Sequence, residues 1–166
     1  MTSQNKLQIS VILFFTVFSF ELFSIDVKDL SITLSEEKTI ISDWEIPGKV
    51  SIKEFVDRIG ESDRKLDEES KIIYIWDKFG LSVQANKKSQ LVDQLSVFGV
   101  AGSKENEPKS KYSGKLLFQS QNPDSNTLTS RGIFCMLTIG KRKLFGLCNA
   151  KSQNLEKLMI SFEQRF

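Results

Sequence analysis

Few side chains in this sequence have the types and spacing that chemistry requires. The chain carries two cysteines, Cys135 and Cys148, and no histidine. Thirteen residues apart and flanking a basic turn, the cysteines suit a disulfide across a hairpin; two buried free thiols are the other reading. Neither Cys-x-x-Cys spacing nor a helix N-terminus stands beside them to make a redox-active pair. Without histidine the commonest general base and metal ligand is missing. Hydrolysis by a carboxylate pair would fall to Asp43, Asp77 and Asp93, although Asp77 also reads as a turn residue. The run Asp67-Glu68-Glu69 lies in a charged stretch, residues 61–71, that reads as a solvated loop. Asn122, Asp124 and Asn126 alternate as calcium-loop oxygens do, but the central glycine is absent and Ile133 stands where a bidentate glutamate belongs. No G-x-S-x-G elbow, phosphate-binding glycine loop or zinc spacing occurs. The expectation is a non-enzymatic protein with no cofactor and no bound metal.

The elements that carry these residues centre on residues 72–98. Ile72, Tyr74 and Trp76 share one side of an extended chain, and Leu81, Val83 and Ala85 share one side of the next. Asp77-Lys78-Phe79-Gly80 reads as the turn between them, with Gly80 supplying a positive φ. Centring that turn between Lys78 and Phe79 sets Trp76 opposite Leu81, Tyr74 opposite Val83 and Ile72 opposite Ala85. Residues 86–90 form a polar turn, and Leu91, Leu95 and Val97 continue as a third strand of a meander.

A partial echo follows 63 residues later. Laid without a gap over Asn86-Lys-Lys-Ser-Gln-Leu-Val-Asp-Gln-Leu-Ser-Val97, the run from Asn149 to Ile160 matches Asn, Lys88 with Lys151, Ser89 with Ser152, Gln90 with Gln153 and Leu95 with Leu158. The same offset carries the first hairpin's turn onto residues 140–143. With the second turn centred between Lys141 and Arg142, Cys135 falls opposite Cys148 on a non-hydrogen-bonded pair, where Cα atoms approach closely.

Ahead of the meander, Leu30, Ile32 and Leu34 alternate with polar residues, Ser35-Glu36-Glu37-Lys38 turns, and residues 39–41 return as a second strand. Trp44 is expected to pack on the core. The one clear helix is residues 51–59: Ser51 and Glu54 have capping-box spacing, Val50 and Phe55 have staple spacing, and Gly60 supplies the stop. Ile52, Phe55, Val56 and Ile59 form its apolar face. Residues 1–24, with the apolar run 11–20, read as a secretory signal peptide; retention as an uncleaved anchor is the alternative. The expected organisation is signal peptide 1–24, hairpin-helix-meander unit 25–100, linker 101–112, and a β-rich partial repeat 113–166. The expected class is α+β: an antiparallel sheet of about seven or eight strands, one principal short helix, and a C-terminal half that partly repeats the meander.

Charge is uneven. Residues 26–70 hold 13 acidic and 7 basic side chains, a balance of minus six; residues 71–166 hold 7 and 15, a balance of plus eight. A basic half attracts acidic proteins or anionic membrane surfaces. Nucleic acid is not expected as a partner, since no binding motif is present. The tips supply the contact candidates: Phe79 in the first hairpin, and Lys141, Arg142 and Lys143 in the last.

The run from the first hairpin through the helix closed by Gly60 to Tyr74-x-Trp76-Asp77-x-x-Gly80-Leu81 resembles a bacterial domain family of unknown function found in small exported or envelope proteins. The resemblance covers about residues 30–98 and implies no catalytic residues. In element order, the helix followed by a meander is also similar to the SmpA-type outer-membrane assembly lipoprotein and to the β-lactamase inhibitor protein. The resulting expectation is an exported protein, periplasmic or extracellular, that binds a protein partner as an immunity or inhibitor protein does. The alternative is a structural envelope factor that meets the membrane through its basic half.

Overall fold

The computed structural model describes residues 30–120 and 126–162. The expected signal segment and two of the three alternating oxygens, Asn122 and Asp124, lie outside the described residues.

Leu30, Ile32 and Leu34 are fully buried, and their period of two builds β1 (Ser31–Ser35). The 35–38 turn leads to β2 (Thr39–Ile41), and β3 (Trp44–Glu45) adds a short third strand. The helix α1 (Ile52–Ile59) begins where the capping box requires. The Glu54 N–H donates to Ser51 Oγ at 3.2 Å, and the Ser51 N–H donates to the Glu54 carboxylate at 2.8 Å, so two orphan helix-start donors are satisfied. Ile52, Phe55 and Ile59 are buried, Trp44 meets Phe55 edge-on at 5.2 Å, and Trp76 Nε1 donates to the Gly60 carbonyl at 2.9 Å. The helix is thereby held to the small sheet through Trp44 and to the large sheet through Trp76.

The remaining strands are β4 (Arg64–Asp67), β5 (Lys71–Trp76), β6 (Leu81–Asn86), β7 (Val92–Phe98), β8 (Lys115–Gln119), β9 (Thr127–Arg131), β10 (Phe134–Ile139), β11 (Arg142–Cys148) and β12 (Leu155–Ser161). This overturns the α+β expectation. Twelve strands against one eight-residue helix make the described chain largely all-β, in two sheets rather than one. The smaller sheet runs β3-β2-β1-β8 and the larger β4-β5-β6-β7-β12-β11-β10-β9, antiparallel throughout. Two features produce the difference. The polar 61–71 stretch holds β4, an edge strand that needs no apolar run, and β8 leaves the C-terminal half to lie parallel to β1.

One core joins the layers. Ile32, Leu34 and Ile41 of the small sheet cluster with Leu81, Val83, Leu95, Val97, Ile139, Leu158 and Ile160 of the large one. The β5–β6 register pairs Trp76 with Leu81, Tyr74 with Val83 and Ile72 with Ala85, as the alternation of the sequence requires.

The large sheet reads as two four-stranded meanders meeting at β7 and β12. At a shift of 63 residues β5 coincides with β10 and β7 with β12. The β4–β5 register repeats in β9–β10, and that of β6–β7 repeats in β11–β12. The register shift at Gln84/Ala85 recurs at Leu147/Cys148. The turns agree bond for bond: Asn86 Oδ1 accepts from the N–H groups of Lys88 and Ser89 at 3.0 Å each, and Asn149 Oδ1 from those of Lys151 and Ser152 at the same lengths. Gln90 and Gln153 take φ of 58° and 56°.

Only the central hairpin differs. The first turn spends four residues between β5 and β6; the second spends two, with Gly140 at φ 57°. The second turn is therefore centred between Gly140 and Lys141, one residue before the expected centring between Lys141 and Arg142, and every pair shifts by two. Cys135 pairs with Gly146, not with Cys148.

Candidate functional site

The slipped register still brings the cysteines together. Cys148 sits diagonally from Cys135 with Cα atoms 5.8 Å apart, and the two form a disulfide. Gly146 makes room: a Cβ there would lie 3.2 Å from Cys135 Sγ and closer still to the Lys157 carbonyl. Both cysteines are buried on the core side of the sheet, so the bond is a staple beneath the second meander.

The tips behave differently from their sequence reading. Phe79 is 1% exposed and belongs to the core cluster, with the Lys78 ammonium 4.7 Å above its ring. It is corrected from a contact residue to a packing residue, because the four-residue turn folds it back under the sheet end. Arg142 is half-buried and spent internally: its guanidinium donates to the carbonyls of Ser35 at 3.1 Å and Lys38 at 2.8 Å, and to Thr39 Oγ1 at 2.9 Å. The basic tip thus clamps the acidic turn of the small sheet. Lys141 and Lys143 stay exposed and, with Glu36 and Glu37, line an open cleft of about 620 Å³.

The carboxylates singled out for catalysis are dispersed in role. Asp43 is exposed in the β2–β3 turn, and Asp93 lies on β7, half-buried. Asp77 is engaged with Arg64 through two hydrogen bonds, 2.7 and 2.8 Å. Arg64 also donates to the carbonyls of Glu105 and Glu107, at 2.7 and 2.8 Å, while Asp77 accepts the Lys109 N–H at 2.7 Å. The Arg64 hydrogen bonds hold the Asp77 carboxyl below its ordinary pKa, with burial opposing. Among the described residues no group of three or more acidic or cysteine side chains is arranged to hold a metal ion.

These bonds define what residues 99–112 do. The segment is not a free linker but a strap without helix or strand, tied down by Arg64 and Asp77. Tyr112 anchors its far end. The Tyr112 N–H donates to Phe98, and its hydroxyl donates to Leu30 and Lys115 at 2.9 and 3.1 Å; burial pushes that phenol up to about 12. The strap belongs to the outer face of the large sheet, the side away from the core. One row of paired residues crosses that face: Arg64, Ile75, Ser82, Ser96, Met159, Phe145, Met136 and Thr129. In the first meander Ile75, Ser82 and Ser96 are buried although they point out. The second meander's share of the row is half-buried or exposed.

The bare half forms a block of twelve outward side chains: Thr127, Thr129 and Arg131; Phe134, Met136 and Thr138; Lys143, Phe145 and Leu147; Lys157, Met159 and Ser161. None is buried; Phe134 is 65% and Phe145 61% exposed. Ile133, at the adjoining turn, is 55% exposed. Apolar residues occupy the middle, Arg131 and Lys157 two corners and Lys143 the rim between Thr138 and Ser161, and none of the twelve is a carboxylate. Phe134, Met136 and Phe145 line a shallow depression of about 450 Å³. Sequence reading missed this surface, yet a signal was present. β10 reads Phe-Cys-Met-Leu-Thr-Ile, apolar at nearly every position, where an antiparallel strand with one wet face would alternate.

Comparison with known proteins gives one match. Residues 31–132 fit the family described as "Domain of unknown function (DUF7738)". No curated protein and no solved structure matches the chain.

Proposed function

Because this chain belongs to DUF7738, a family of domains of unknown function, we propose a function from its own surface: an exported, non-enzymatic binding protein of the bacterial envelope. It holds a protein partner on the outer face of β9–β12, in the manner of an immunity or inhibitor protein. The observation that carries this reading is the exposure of Phe134 and Phe145 inside a contiguous apolar block on a flat sheet face. Isolated apolar residues on a surface are ordinary; a contiguous patch rimmed by charge is characteristic of a docking surface. Buried aromatic anchors dominate binding energy in protein interfaces.

Export is supported by the apolar N-terminal run and by the Cys135–Cys148 disulfide, which persists in oxidising compartments. The basic rim supports a second reading, attachment to an anionic membrane surface.

The test is a crosslinked pull-down of the tagged protein from its host's envelope and medium fractions. Wild type is compared with Phe134→Asp, Phe145→Asp and the exposed control Leu117→Asp. The expected result is one abundant partner, lost in both phenylalanine variants and kept in the control. Capture indifferent to both substitutions overturns the reading. Binding only to anionic vesicles, abolished by salt, replaces the protein partner with a lipid surface.

A further inference from the structure

The bare face carries information about the chemistry of its occupant, given that it is the docking surface. We propose that it accepts an acidic polypeptide segment in extended conformation, crossing β12 to β9 with its carboxylates at Lys157 and Arg131.

Charge complementarity is the first ground. Three of the twelve outward side chains are cationic, none is anionic, and the cations stand on the rim, Arg131 and Lys157 at corners, while Phe134, Met136, Phe145, Leu147 and Met159 are the apolar ones. A second copy of this chain docking face to face would set cation against cation, so self-association through this face is disfavoured.

The second ground is the other half of the molecule. The equivalent face of β4–β7 is already covered, and its cover is an irregular polypeptide segment of mixed charge, with Glu105 and Glu107 beside Lys104, Lys109 and Lys111 and with Pro108 buried. Arg64 grips that segment through two main-chain carbonyls. Glu107 also acts electrostatically on Lys157, which lies over the Phe98 ring at 4.8 Å on the boundary between the halves. The strap therefore reaches the edge of the bare face, and it shows that this kind of sheet surface accommodates a crossing polypeptide.

Geometry sets the spacing. Arg131, Phe134, Leu147 and Lys157 form one row across the strands, with Lys143 off it, and from Arg131 to Lys157 the row spans three strands, roughly 14 Å. An extended chain covers this in about four residues. Carboxylates four positions apart would meet these two cations, with apolar or threonine side chains between them on Phe134 and Leu147.

The experiment uses the purified protein with its disulfide closed. The probes are a short peptide of Thr and Phe with Glu at every fourth position, the same peptide with Lys for Glu, and phosphatidylglycerol vesicles. Affinity is read by fluorescence polarisation for the peptides and by flotation for the vesicles. The Glu peptide is expected to bind, with the Lys peptide at least about tenfold weaker, and with Arg131→Glu and Lys157→Glu each costing about tenfold. Equal affinity for the two peptides, binding of neither, or binding of vesicles alone overturns the proposal. Loss in Phe145→Asp with no change in Lys157→Glu and Arg131→Glu sinks the acidic preference and leaves the docking face standing. Retention in Phe145→Asp removes the face itself. Unchanged thermal midpoints of the variants show that these losses are not losses of fold.

Discussion

The two halves of the large sheet share strand length, turn chemistry and most of their register, and they differ in what lies on the outside. β4–β7 is roofed by residues 99–112; among the described residues no segment roofs β9–β12. The helix α1 makes a parallel contrast: at a shift of 63 residues, β8 begins where α1 would. Similar strands can thus be finished in two ways, because a sheet face depends on whichever segment the chain sends across it. The difference resides in the connections, and function is expected on the half left uncovered.

The widest energetic gap between the halves should appear on replacing one aromatic in each. Phe79→Ala empties a fully buried site and should cost about 3–4 kcal/mol, whereas Phe145→Ala on the bare face should stay within about 0.5 kcal/mol. Denaturant melts of both variants test this; equal losses would mean that the second face is not bare in solution. The disulfide comes next. It staples only the second meander, where the equivalents of Cys135 and Cys148 in the first are Ile72 and Ala85, directly paired. Replacing both cysteines by serine should cost about 3 kcal/mol on the loop-entropy account. Hydrogen exchange should loosen β10 and β11 before β5 and β6.

The latch sharpens the comparison from the other side. Asp77→Ala leaves the Arg64 guanidinium and the Lys109 N–H without their carboxylate, a loss of about 2 kcal/mol. Amide exchange in residues 100–111 should rise with it. Its pH dependence follows from the depressed Asp77 value. The unfolded chain protonates Asp77 near pH 4, and the folded chain only at lower pH. The latch contribution is therefore full above about pH 4 and is lost as pH falls through the folded value. The gap in thermal midpoint between wild type and Asp77→Asn should close on acidification; a gap that widens would show that Asp77 does not hold the strap.

Local features were legible in the sequence. Ser51 and Glu54 announce a helix start because capping needs only residues three apart, and Trp76, Tyr74 and Ile72 find their partners because the side-chain period fixes a hairpin register once its turn is placed. The second hairpin shows the limit: moving its turn by one residue shifts every pair by two, and Gly140 allows the tighter turn. Long-range choices left no local mark. Nothing within residues 115–119 states that they lie parallel to β1, and the polar β4 is held by pairing with β5 rather than by its own pattern. The candidate surface was hidden for a related reason. Phe134 and Phe145 look like core residues until the positions of the two sheets decide which side of β10 and β11 is covered.

The smallest expected difference lies in the duplicated turns, and it separates what a turn does for itself from what it does for its neighbours. Asn86 and Asn149 make the same two hydrogen bonds, so losing them should cost about 1 kcal/mol in each alanine variant. The first turn has one more duty: the Ile52 N–H donates to the Gln90 carbonyl at 2.9 Å, and the Val92 N–H donates to the Val50 carbonyl at 2.9 Å, so the start of α1 rests on it. Asn86→Ala should therefore exceed Asn149→Ala by a few tenths of a kcal/mol up to about 1, the worth of one backbone hydrogen bond. It should also speed exchange at Ile52, which Asn149→Ala leaves untouched. Identical losses with Ile52 undisturbed would mean that the capping box alone sets the helix start, leaving the second meander without β6–β7-like duties only because no helix begins beside it.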